Sequence, residues 1–239
     1  MEKLSKARCA ELASLKQKKF RQEKRLVIIE GERLFHQLRQ YKILPLELYT
    51  TEATPPREYP GVPCYQAEGY QLSRICDGIN PPHLAGLFRV PEPVLQDFQT
   101  AFYLDNVADP GNTGTIFRLA AAFGIEAILL SPDSCEISSP KVIRASLGAV
   151  YKVPWQEVSP DKLHKLGARI ACLDMQGQTT LKDYRPQPGK TIYVLGSEAH
   201  GISPEVLSQA NQTLSIGMSD AMESLNVAIS AGILAHHLY

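Results

Sequence analysis

The chain has 239 residues, of which 44% are hydrophobic, and equal numbers of basic and acidic residues give it a formal net charge of zero. This size and composition are those of a folded globular protein with one large domain or two small ones. The longest nearly continuous apolar stretch, near 225–235, is shorter than the roughly 18 to 20 residues that span a bilayer, so we expect no membrane segment. The N-terminus lacks the apolar core of a secretory signal, and we expect a cytoplasmic protein.

The charge is distributed unevenly along the chain. Residues 1–42 contain 12 Lys and Arg against 5 Asp and Glu, a net of +7, and the remainder contains 13 against 20, a net of −7. The run KQKKFRQEKR at 16–25 is dense enough to contact phosphates, although it also suits a solvated helix face. The five cysteines are isolated and never in CxxC spacing, which disfavours a disulfide framework and a zinc site.

The N-terminal part of the chain alternates helical and strand patterns. Apolar residues near helical spacing predict a first helix over about residues 3–18. The segments LVIIEG, LELYTT and LAGLFRVP predict strands, and ERLFHQLRQY and QLSRICDG predict helices. Together these patterns predict a small α/β domain over 1–92, and the Pro-spaced segment at 91–98 is the best candidate for a linker.

The C-terminal part, 98–239, alternates more regularly. AFYLDNV, EAILL, RIACLD, TIYVLG and TLSIG predict strands, TIFRLAAAFG and PKVIRASLG predict helices, and an apolar helix ends the chain. Such alternation is typical of a parallel sheet covered on both faces, whose ligands bind beyond the carboxyl ends of the strands. Three polar loops begin at those ends: DPGNTG at 109–114, GSEAHG at 196–201 and GMSDAMESLN at 217–226.

The first of these loops has the residues of a ligand-binding turn. Pro110 and Gly111 are predicted to form a tight turn, and Gly114 lets the backbone approach a ligand at a helix N-terminus. Asn112 can cap that helix, and Arg118 lies where it can either reach a phosphate or form a structural ion pair. The glycine spacing is not GxGxxG and no GxxxxGK[ST] occurs, which disfavours a nicotinamide or nucleoside-triphosphate enzyme.

The second and third loops each allow a structural and a functional interpretation. Glu198 can orient a hydroxyl, pair with Arg118 or balance a cationic ligand, but loop carboxylates are also commonly just solvated. His200 has no second histidine at metal-ligand spacing. In the third loop, Ser224 or Asp220 fits the cap of the final helix, and the same polar residues fit a ligand site. The sequence pattern leaves both interpretations open.

Taken in this order, the three loops resemble the three motifs of the SPOUT superfamily and, within it, of the TrmH/SpoU family of RNA ribose 2′-O-methyltransferases. The likeness is carried by LDNVADPGNTGTIFRLAAAFG, SSPKVIRASLGAVYKVPW, VLGSEAHGIS and SLNVAISAGIL. The opening SLKQKKFRQEKRLVIIEGERL is similar to relatives that have an N-terminal substrate-binding domain. The resemblance implies a C-terminal α/β domain with a deep trefoil knot, and a homodimer whose active site combines loops of both subunits. It also implies S-adenosylmethionine as the cofactor, and the chemistry requires no metal.

Roles for individual residues follow from the same resemblance. The expected catalytic residues are Arg118, Asn112, Glu198, Ser224 and Asn226. The residues expected to contact the cofactor, largely through backbone groups, are Leu173, Gly196, Ser197, Glu198, Gly201, Ile216, Met218 and Leu225. Because arginine keeps its proton at neutral pH, Arg118 is expected to orient the ribose hydroxyl and to stabilise the developing alkoxide.

Two departures from the family pattern affect the cofactor pocket. Ser197 and Ala199 stand where many relatives have Asn and Gly, and Gly217 stands in place of a usual proline, which loosens a turn. The expected function is transfer of a methyl group from S-adenosylmethionine to a ribose 2′-hydroxyl of rRNA or tRNA. Two alternatives remain open: a non-catalytic RNA-binding protein that keeps the knotted fold, and an enzyme of the same fold that methylates a base nitrogen.

Overall fold

The computed structural model describes residues 1–78, 82–219 and 224–239. The internal contacts group the chain into two compact units. The first unit contains Met1–Glu92 and Ile137–Tyr151, and the second contains Pro93–Glu136 and Lys152–Tyr239. Within the described ranges, no helix is both long enough and apolar enough to cross a membrane.

Short strands and helices alternate along most of the chain. The strands are β1 (Glu2–Lys3), β2 (Leu26–Glu30), β3 (Glu47–Thr50), β4 (Cys64–Gln66), β5 (Leu84–Arg89), β6 (Thr100–Asp105), β7 (Ala127–Leu130), β8 (Trp155–Glu157), β9 (Arg169–Leu173), β10 (Thr179–Thr180), β11 (Thr191–Gly196) and β12 (Gln212–Ser215). The α-helices are α1 (Lys6–Ser14), α2 (Lys18–Lys24), α3 (Glu32–Gln40), α4 (Gly69–Ile75), α5 (Pro110–Phe123), α6 (Pro140–Ala145), α7 (Pro204–Leu207) and α8 (Val227–Leu238). Two 3₁₀ helices lie at Ala149–Tyr151 and Pro160–Leu166.

The first unit is built on a mixed sheet with the strand order β1-β4-β3-β5-β2. Strand β5 is antiparallel to both of its neighbours, whereas β4 is parallel to both of its own. Alternate side chains of β5 point to opposite faces, as the strand period of two requires. Leu87 joins a core with Leu12 and Leu72 of the helices, and Phe88 packs edge-on against Phe35 of α3 with ring centroids 5.5 Å apart.

The prediction of one helix over about residues 3–18 is wrong in its bounds, because α1 covers only Lys6–Ser14 and a separate helix, α2, begins at Lys18. The Ser5 side chain caps α1 by accepting a hydrogen bond from the Arg8 backbone N–H, and the helix ends at Ser14. The buried guanidinium of Arg21 donates to the carbonyl oxygens of Leu15 and Lys16 at 2.9 and 2.7 Å. These are carbonyls that a continuing helix would have used, so Arg21 stabilises the break between α1 and α2.

Three of the six cations of the basic run at 16–25 form ion pairs within the first unit. Its ion pairs are Lys16–Asp77, Lys24–Glu11 and Arg25–Glu92. Lys18 and Lys19 are exposed and have no ion-pair partner among the described residues. Only part of the charge that the sequence places here is therefore free to meet phosphates.

The second unit is built on a seven-stranded sheet with the order β10-β12-β9-β11-β6-β7-β8, and every strand pair in it is parallel. Strands that are covered on both faces become nearly continuous apolar runs, as in AILL and TIYVLG. Tyr103, Leu129 and Val194 lie in its core. The predicted α/β fold with a parallel C-terminal sheet is confirmed.

Two predicted helix boundaries in the second half of the sequence are wrong. DPGNTG is not a loop, because α5 starts at Pro110, which occupies a first-turn position that needs no backbone N–H donor. Asp109, not Asn112, caps this helix: its carboxylate accepts the Asn112 backbone N–H at 2.8 Å. Helix α6 ends at Ala145, short of the predicted Gly148, because Leu147 and Gly148 take positive φ angles of 50° and 80° that a right-handed helix does not allow.

The core assignment of the first unit can be tested by truncating Leu87, whose exposed fraction is 2%. We expect Leu87→Ala to lower the free energy of unfolding by about 2–5 kcal/mol, because the cavity that it leaves is not refilled. Leu44→Ala is the control in the same unit, since Leu44 is 55% exposed, and its effect should stay within about 0.5 kcal/mol. Urea denaturation measures both, and equal effects would contradict the assignment.

Candidate active site

A cavity of about 530 Å³ lies at the carboxyl ends of three adjacent strands, β12, β9 and β11. Small-molecule sites commonly have this volume, and ligands of open parallel sheets bind at this edge. The cavity has three walls. The first follows β9, the second follows β11, and the third follows β12 and includes the start of α8; they contribute residues 173–176, residues 195–202, and Ile216, Met218, Ser224, Leu225, Val227 and Ser230 respectively.

The first wall is a tight turn at the end of β9. The Asp174 carboxylate atom Oδ1 accepts the Gln176 backbone N–H at 2.8 Å, and the Asp174 N–H donates to the Leu214 carbonyl at 2.9 Å. Gly177 closes the turn, and a Cβ atom there would lie 2.2 Å from the carbonyl carbon of Leu214. Only glycine permits this approach of two backbones, so the sequence fixes the course of the wall.

The second wall is the GSEAHG loop, held to the sheet at both of its ends. Ser197 and Gly201 exchange two backbone hydrogen bonds of 3.0 and 2.9 Å. A Cβ atom on Gly196 would lie 2.3 Å from the carbonyl carbon of Gly201, so this position requires glycine. Beyond the loop, the Ser203 backbone N–H donates at 2.7 Å to the carboxylate of Asp105, which is fully buried at the end of β6.

Side-chain hydrogen bonds of Asn226 join the third wall to the start of α5 and, through it, to the second wall. Its Oδ1 caps α8 by accepting the backbone N–H groups of Ala228 and Ile229 at 2.9 and 3.3 Å. Its Nδ2 donates to Asn112 Oδ1 at 3.1 Å, and Asn112 Nδ2 in turn donates to Glu198 Oε1. The starts of α8 and α5 are thus connected to the carboxylate of the second loop.

This network corrects the prediction of the helix cap. Asn226, and not Ser224, is the N-cap residue of α8, while Asp220 lies outside the described residues. Ser224 instead lines the cavity. The third loop therefore contains a helix cap, which is Asn226, while the part of Ser224 in a ligand site stays a prediction.

Arg118 lies apart from the cavity of its own chain. Its side chain is on α5, is exposed, and does not line the cavity. Among the described residues no carboxylate forms an ion pair with Arg118, whereas Arg144, for example, pairs with Glu30. The structural ion pair that would have explained Arg118 is thus not formed within the described part of this chain.

The structure brings most of the predicted site residues together. All eight residues predicted to contact the cofactor line the one cavity, as do two of the predicted catalytic residues, Glu198 and Ser224. Asn112 and Asn226 are connected to Glu198 by hydrogen bonds, and Arg118 is the one that stands apart. Their roles in binding and catalysis stay predictions.

Several cavity residues were not predicted, among them Asp174, Gln176 and Ser230. Asp174 could have been found, because it is the acidic end of the predicted strand RIACLD, at the edge where ligands of parallel sheets bind. Ser230 follows Asn226 by four positions, which places the two on one face of a helix. His200, for which the sequence predicted no role, also lines the cavity, in its second wall.

The electrostatic environment of this edge is acidic. Burial, together with the carboxylates of Asp105 and Asp174, raises the pKa of the Cys172 thiol to about 12. The thiol is therefore protonated at neutral pH and unsuited to act as a nucleophile. The cavity lining in the described residues includes the carboxylates of Asp174 and Glu198 but no lysine or arginine.

Fold and cavity together define a class: an α/β protein with a site for a small organic ligand at the carboxyl edge of a parallel sheet. The part of the chain that the structure describes has no group of three His, Cys, Asp or Glu side chains placed to hold a metal ion. The profile of the SpoU rRNA Methylase family matches residues 99–236. The chain belongs to this family.

Known relatives agree with this assignment. A tRNA/rRNA methyltransferase of Synechocystis is 32% identical over 72% of this chain, and the match spans 65% of that relative's own length. RlmP of Bacillus subtilis, a 23S rRNA (guanosine(2553)-2′-O)-methyltransferase, is 26% identical over 92% of this chain and 91% of its own. A solved structure from Porphyromonas gingivalis, described as an RNA methyltransferase of the TrmH family, matches 98% of both chains with a TM-score of 0.81 and 31% identity.

The two functions of the Asn226 side chain can be separated by substitution. We expect Asn226→Ala to cost about 0.5–2 kcal/mol of stability, because the first backbone N–H groups of α8 lose their acceptor. Asn226→Asp keeps a capping oxygen but loses the donor to Asn112, so it should retain most of the stability. Urea denaturation of both variants measures the difference, and an alanine variant as stable as the wild type would refute the capping role.

Proposed function

We propose that this protein is an S-adenosylmethionine-dependent methyltransferase that methylates a ribose 2′-hydroxyl of rRNA or tRNA. The observation that carries the proposal is the single cavity that gathers every residue predicted to contact the cofactor. In its lining, the carboxylate of Glu198 is held by a hydrogen bond from Asn112, which in turn accepts one from Asn226. Membership of the SpoU family supports the reaction class, and the Bacillus relative, matched over 91% of its length, is named as a 2′-O-methyltransferase.

The residues of the cavity fit the proposed cofactor. Its volume of about 530 Å³ suits a nucleoside-sized ligand. Leu173, Leu195 and Leu225 provide apolar surface for an adenine ring, and the glycine at 196 leaves the adjacent backbone open to close approach. When bound, S-adenosylmethionine supplies a methyl group activated by its positively charged sulfur.

The chain's own residues would position the acceptor and stabilise its charge. Glu198, held by Asn112, borders the cavity and can orient the ribose hydroxyl in line with the methyl donor. Ser224 can add a hydrogen bond from the opposite wall. The guanidinium of Arg118 would stabilise the alkoxide that develops on the ribose oxygen as its proton leaves. Since Arg118 remains protonated, the proton itself passes to another acceptor, such as a substrate phosphate.

The trefoil knot and the domain limits belong to the same proposal. We assign residues 98–239 to a knotted methyltransferase domain and residues 1–92 to a substrate-binding domain, on the strength of the family. Helix α8 packs against α5 and β11, and Ala231, Leu234 and Ala235 are buried on it, as a helix threaded into the domain requires. The internal contacts of the chain assign the segment 137–151 to the first unit.

A homodimer would bring Arg118 to the site from which it is absent in the single chain. Helix α8 exposes two isoleucines, Ile229 (55%) and Ile233 (39%), one turn apart on the same face. Tyr239 beyond them is 84% exposed. Apolar side chains aligned in this way favour a self-complementary contact with a second copy. Through that contact, Arg118 of the partner subunit would complete the cavity.

RNA would be held by the N-terminal unit through phosphates and shape. Lys18 and Lys19, which are exposed and have no ion-pair partner in the part of the chain that the structure describes, are the members of the basic run best suited to this role. The other cations of the run are engaged in the ion pairs and the helix break described above. We therefore expect a modest contribution of this run to RNA affinity.

Arg118→Ala tests the catalytic assignment. We expect a loss of methyl transfer of about 100-fold or more, because the developing alkoxide loses its main stabilising charge, with an unchanged circular dichroism spectrum. Arg185→Ala is the matched control, since Arg185 is an exposed arginine of the same unit that does not line the cavity. The assay measures transfer of labelled methyl to rRNA and tRNA from cells that lack the protein.

That assay also decides between the proposed function and its alternatives. Nuclease digestion and mass spectrometry locate the methyl group on ribose or base. Absence of transfer together with absence of S-adenosylmethionine binding in calorimetry, with RNA present, would favour the non-catalytic RNA-binding alternative. Full activity of Arg118→Ala would refute the role of Arg118.

Mixing two inactive variants tests whether the active site is shared between subunits. An Arg118→Ala chain retains Glu198, and a Glu198→Ala chain retains Arg118. If Arg118 acts on the partner's cavity, each mixed dimer has one intact site out of two. Since random pairing makes about half of the dimers mixed, activity should return to about a quarter of the wild-type level. If both residues act within one chain, mixing restores nothing. The two variants are refolded or co-expressed together and assayed for methyl transfer.

A further inference from the structure

The first wall of the cavity has a carboxylate, that of Asp174, with no part in the steps described so far. It belongs neither to the hydrogen-bond network of Asn226 nor to the proposed catalytic steps. Asp174 is half-buried where β9 ends and lines the cavity. One of its oxygens, Oδ1, accepts the Gln176 backbone N–H at 2.8 Å. The other oxygen, Oδ2, has no hydrogen-bond donor among the described residues. A carboxylate whose turn fixes its position, and which keeps one oxygen free beside a cavity, is placed to act on a ligand.

No lysine or arginine of the described lining compensates this charge, and the one titratable side chain there besides Asp174 and Glu198 is the imidazole of His200. The lining contains Asp174 and Glu198 and neither lysine nor arginine. The start of α8, which could offer partial positive charge, has its Ala228 and Ile229 N–H groups satisfied by Asn226. The fully buried Asp105 adds a third carboxylate behind the same edge of the sheet.

The proposed reaction changes one charge in this cavity. S-adenosylmethionine carries a positive sulfonium, and S-adenosylhomocysteine, which remains after the methyl group has left, carries a neutral thioether. The two molecules share their adenine, ribose, ammonium and carboxylate groups. A negative charge near the sulfur therefore stabilises the substrate form more than the product form.

We propose, on the basis of the proposed function, that Asp174 is a specificity-determining residue that makes the cavity prefer the sulfonium cofactor over its thioether product. The preference has a use in turnover. A site that bound both forms equally would be occupied by product whenever product accumulates. Because the product has lost the positive charge that Asp174 attracts, it is bound less tightly and can leave. Asp174 acts through its charge and does not need to touch the acceptor ribose.

Asp174→Asn tests the proposal, because the amide keeps an oxygen to accept the Gln176 N–H while it removes the charge. Titration calorimetry gives the Kd of S-adenosylmethionine and of S-adenosylhomocysteine for the full-length protein. We expect the Kd of S-adenosylmethionine to rise by about three- to tenfold, as for a charge interaction partly screened by water. The Kd of S-adenosylhomocysteine should change by less than about twofold, because its sulfur is neutral and its other charges are screened from Asp174 by water.

Asp183→Asn is the matched control, since it removes one charge from the same unit at an exposed position that does not line the cavity. It should leave both dissociation constants unchanged. Melting temperatures confirm that the variants are folded, and Asp174→Ser provides a second neutral side chain that can accept the Gln176 N–H, should the Asn variant misfold.

The outcomes separate this inference from the function on which it rests. Equal weakening of both ligands by Asp174→Asn would show that Asp174 holds a group that they share, and would overturn the charge-based preference. If Asp174→Asn leaves the ratio of the two dissociation constants at its wild-type value, the charge-based preference is overturned as well. Wild-type protein that binds neither ligand, with or without RNA, would instead overturn the proposed function.

Discussion

The candidate site depends on the hydrogen bonds of one side chain, Asn226. Its oxygen satisfies the first backbone N–H groups of α8, so the orientation of its amide is fixed by the helix. Its nitrogen is then directed to Asn112, and through Asn112 to Glu198. An amide is needed at position 226, because a carboxylate or hydroxyl could not cap the helix with an oxygen and also donate through a fixed nitrogen. The side chain that caps α8 thereby also connects α5 and the second wall of the cavity, which are far apart in the sequence.

The sheet explains why those loops meet at all. In a parallel sheet every strand ends at the same edge, and the order β12-β9-β11-β6 places the three loops of the cavity and the start of α5 side by side. Close packing of backbone then shapes the cavity. Gly177 lies against Leu214, and Gly196 lies against Gly201, at distances that leave no room for a side chain. The glycines of this region serve the approach of one backbone to another, and Asp105 anchors the far end of the second loop from within the core.

Several of the basic residues near the N-terminus differ from Arg118 in whether they have partners within the described part of the chain. Many basic residues near the N-terminus are engaged internally: Arg21 stabilises a helix break, and Lys24 and Arg25 are held by acids. Arg118, by contrast, has no described carboxylate beside it and stands outside its own cavity, which is acidic. If two chains associate, Arg118 of one chain and the acidic cavity of the other are complementary in charge. The proposed homodimer is thus favoured by electrostatic attraction as well as by the apolar face of α8. The acidity that remains at Asp174 suits a positively charged cofactor.

The sequence by itself determined the parallel α/β architecture, because strands buried on both faces need apolar runs such as AILL and TIYVLG, and their regular alternation with helices leaves few other folds. It also located two of the three loops of the cavity, GSEAHG and GMSDAMESLN, because polar residues that follow apolar strands are easily recognised. Only the tertiary structure decided what each residue in them does. DPGNTG reads as a loop, but Pro110 and Asp109 suit a helix start equally well, and local sequence does not distinguish the two. Asn226 and Asn112 are separated by 114 positions, and Asn112 and Glu198 by 86. Hydrogen bonds over such separations depend on how the whole sheet is assembled, so no local pattern contains them.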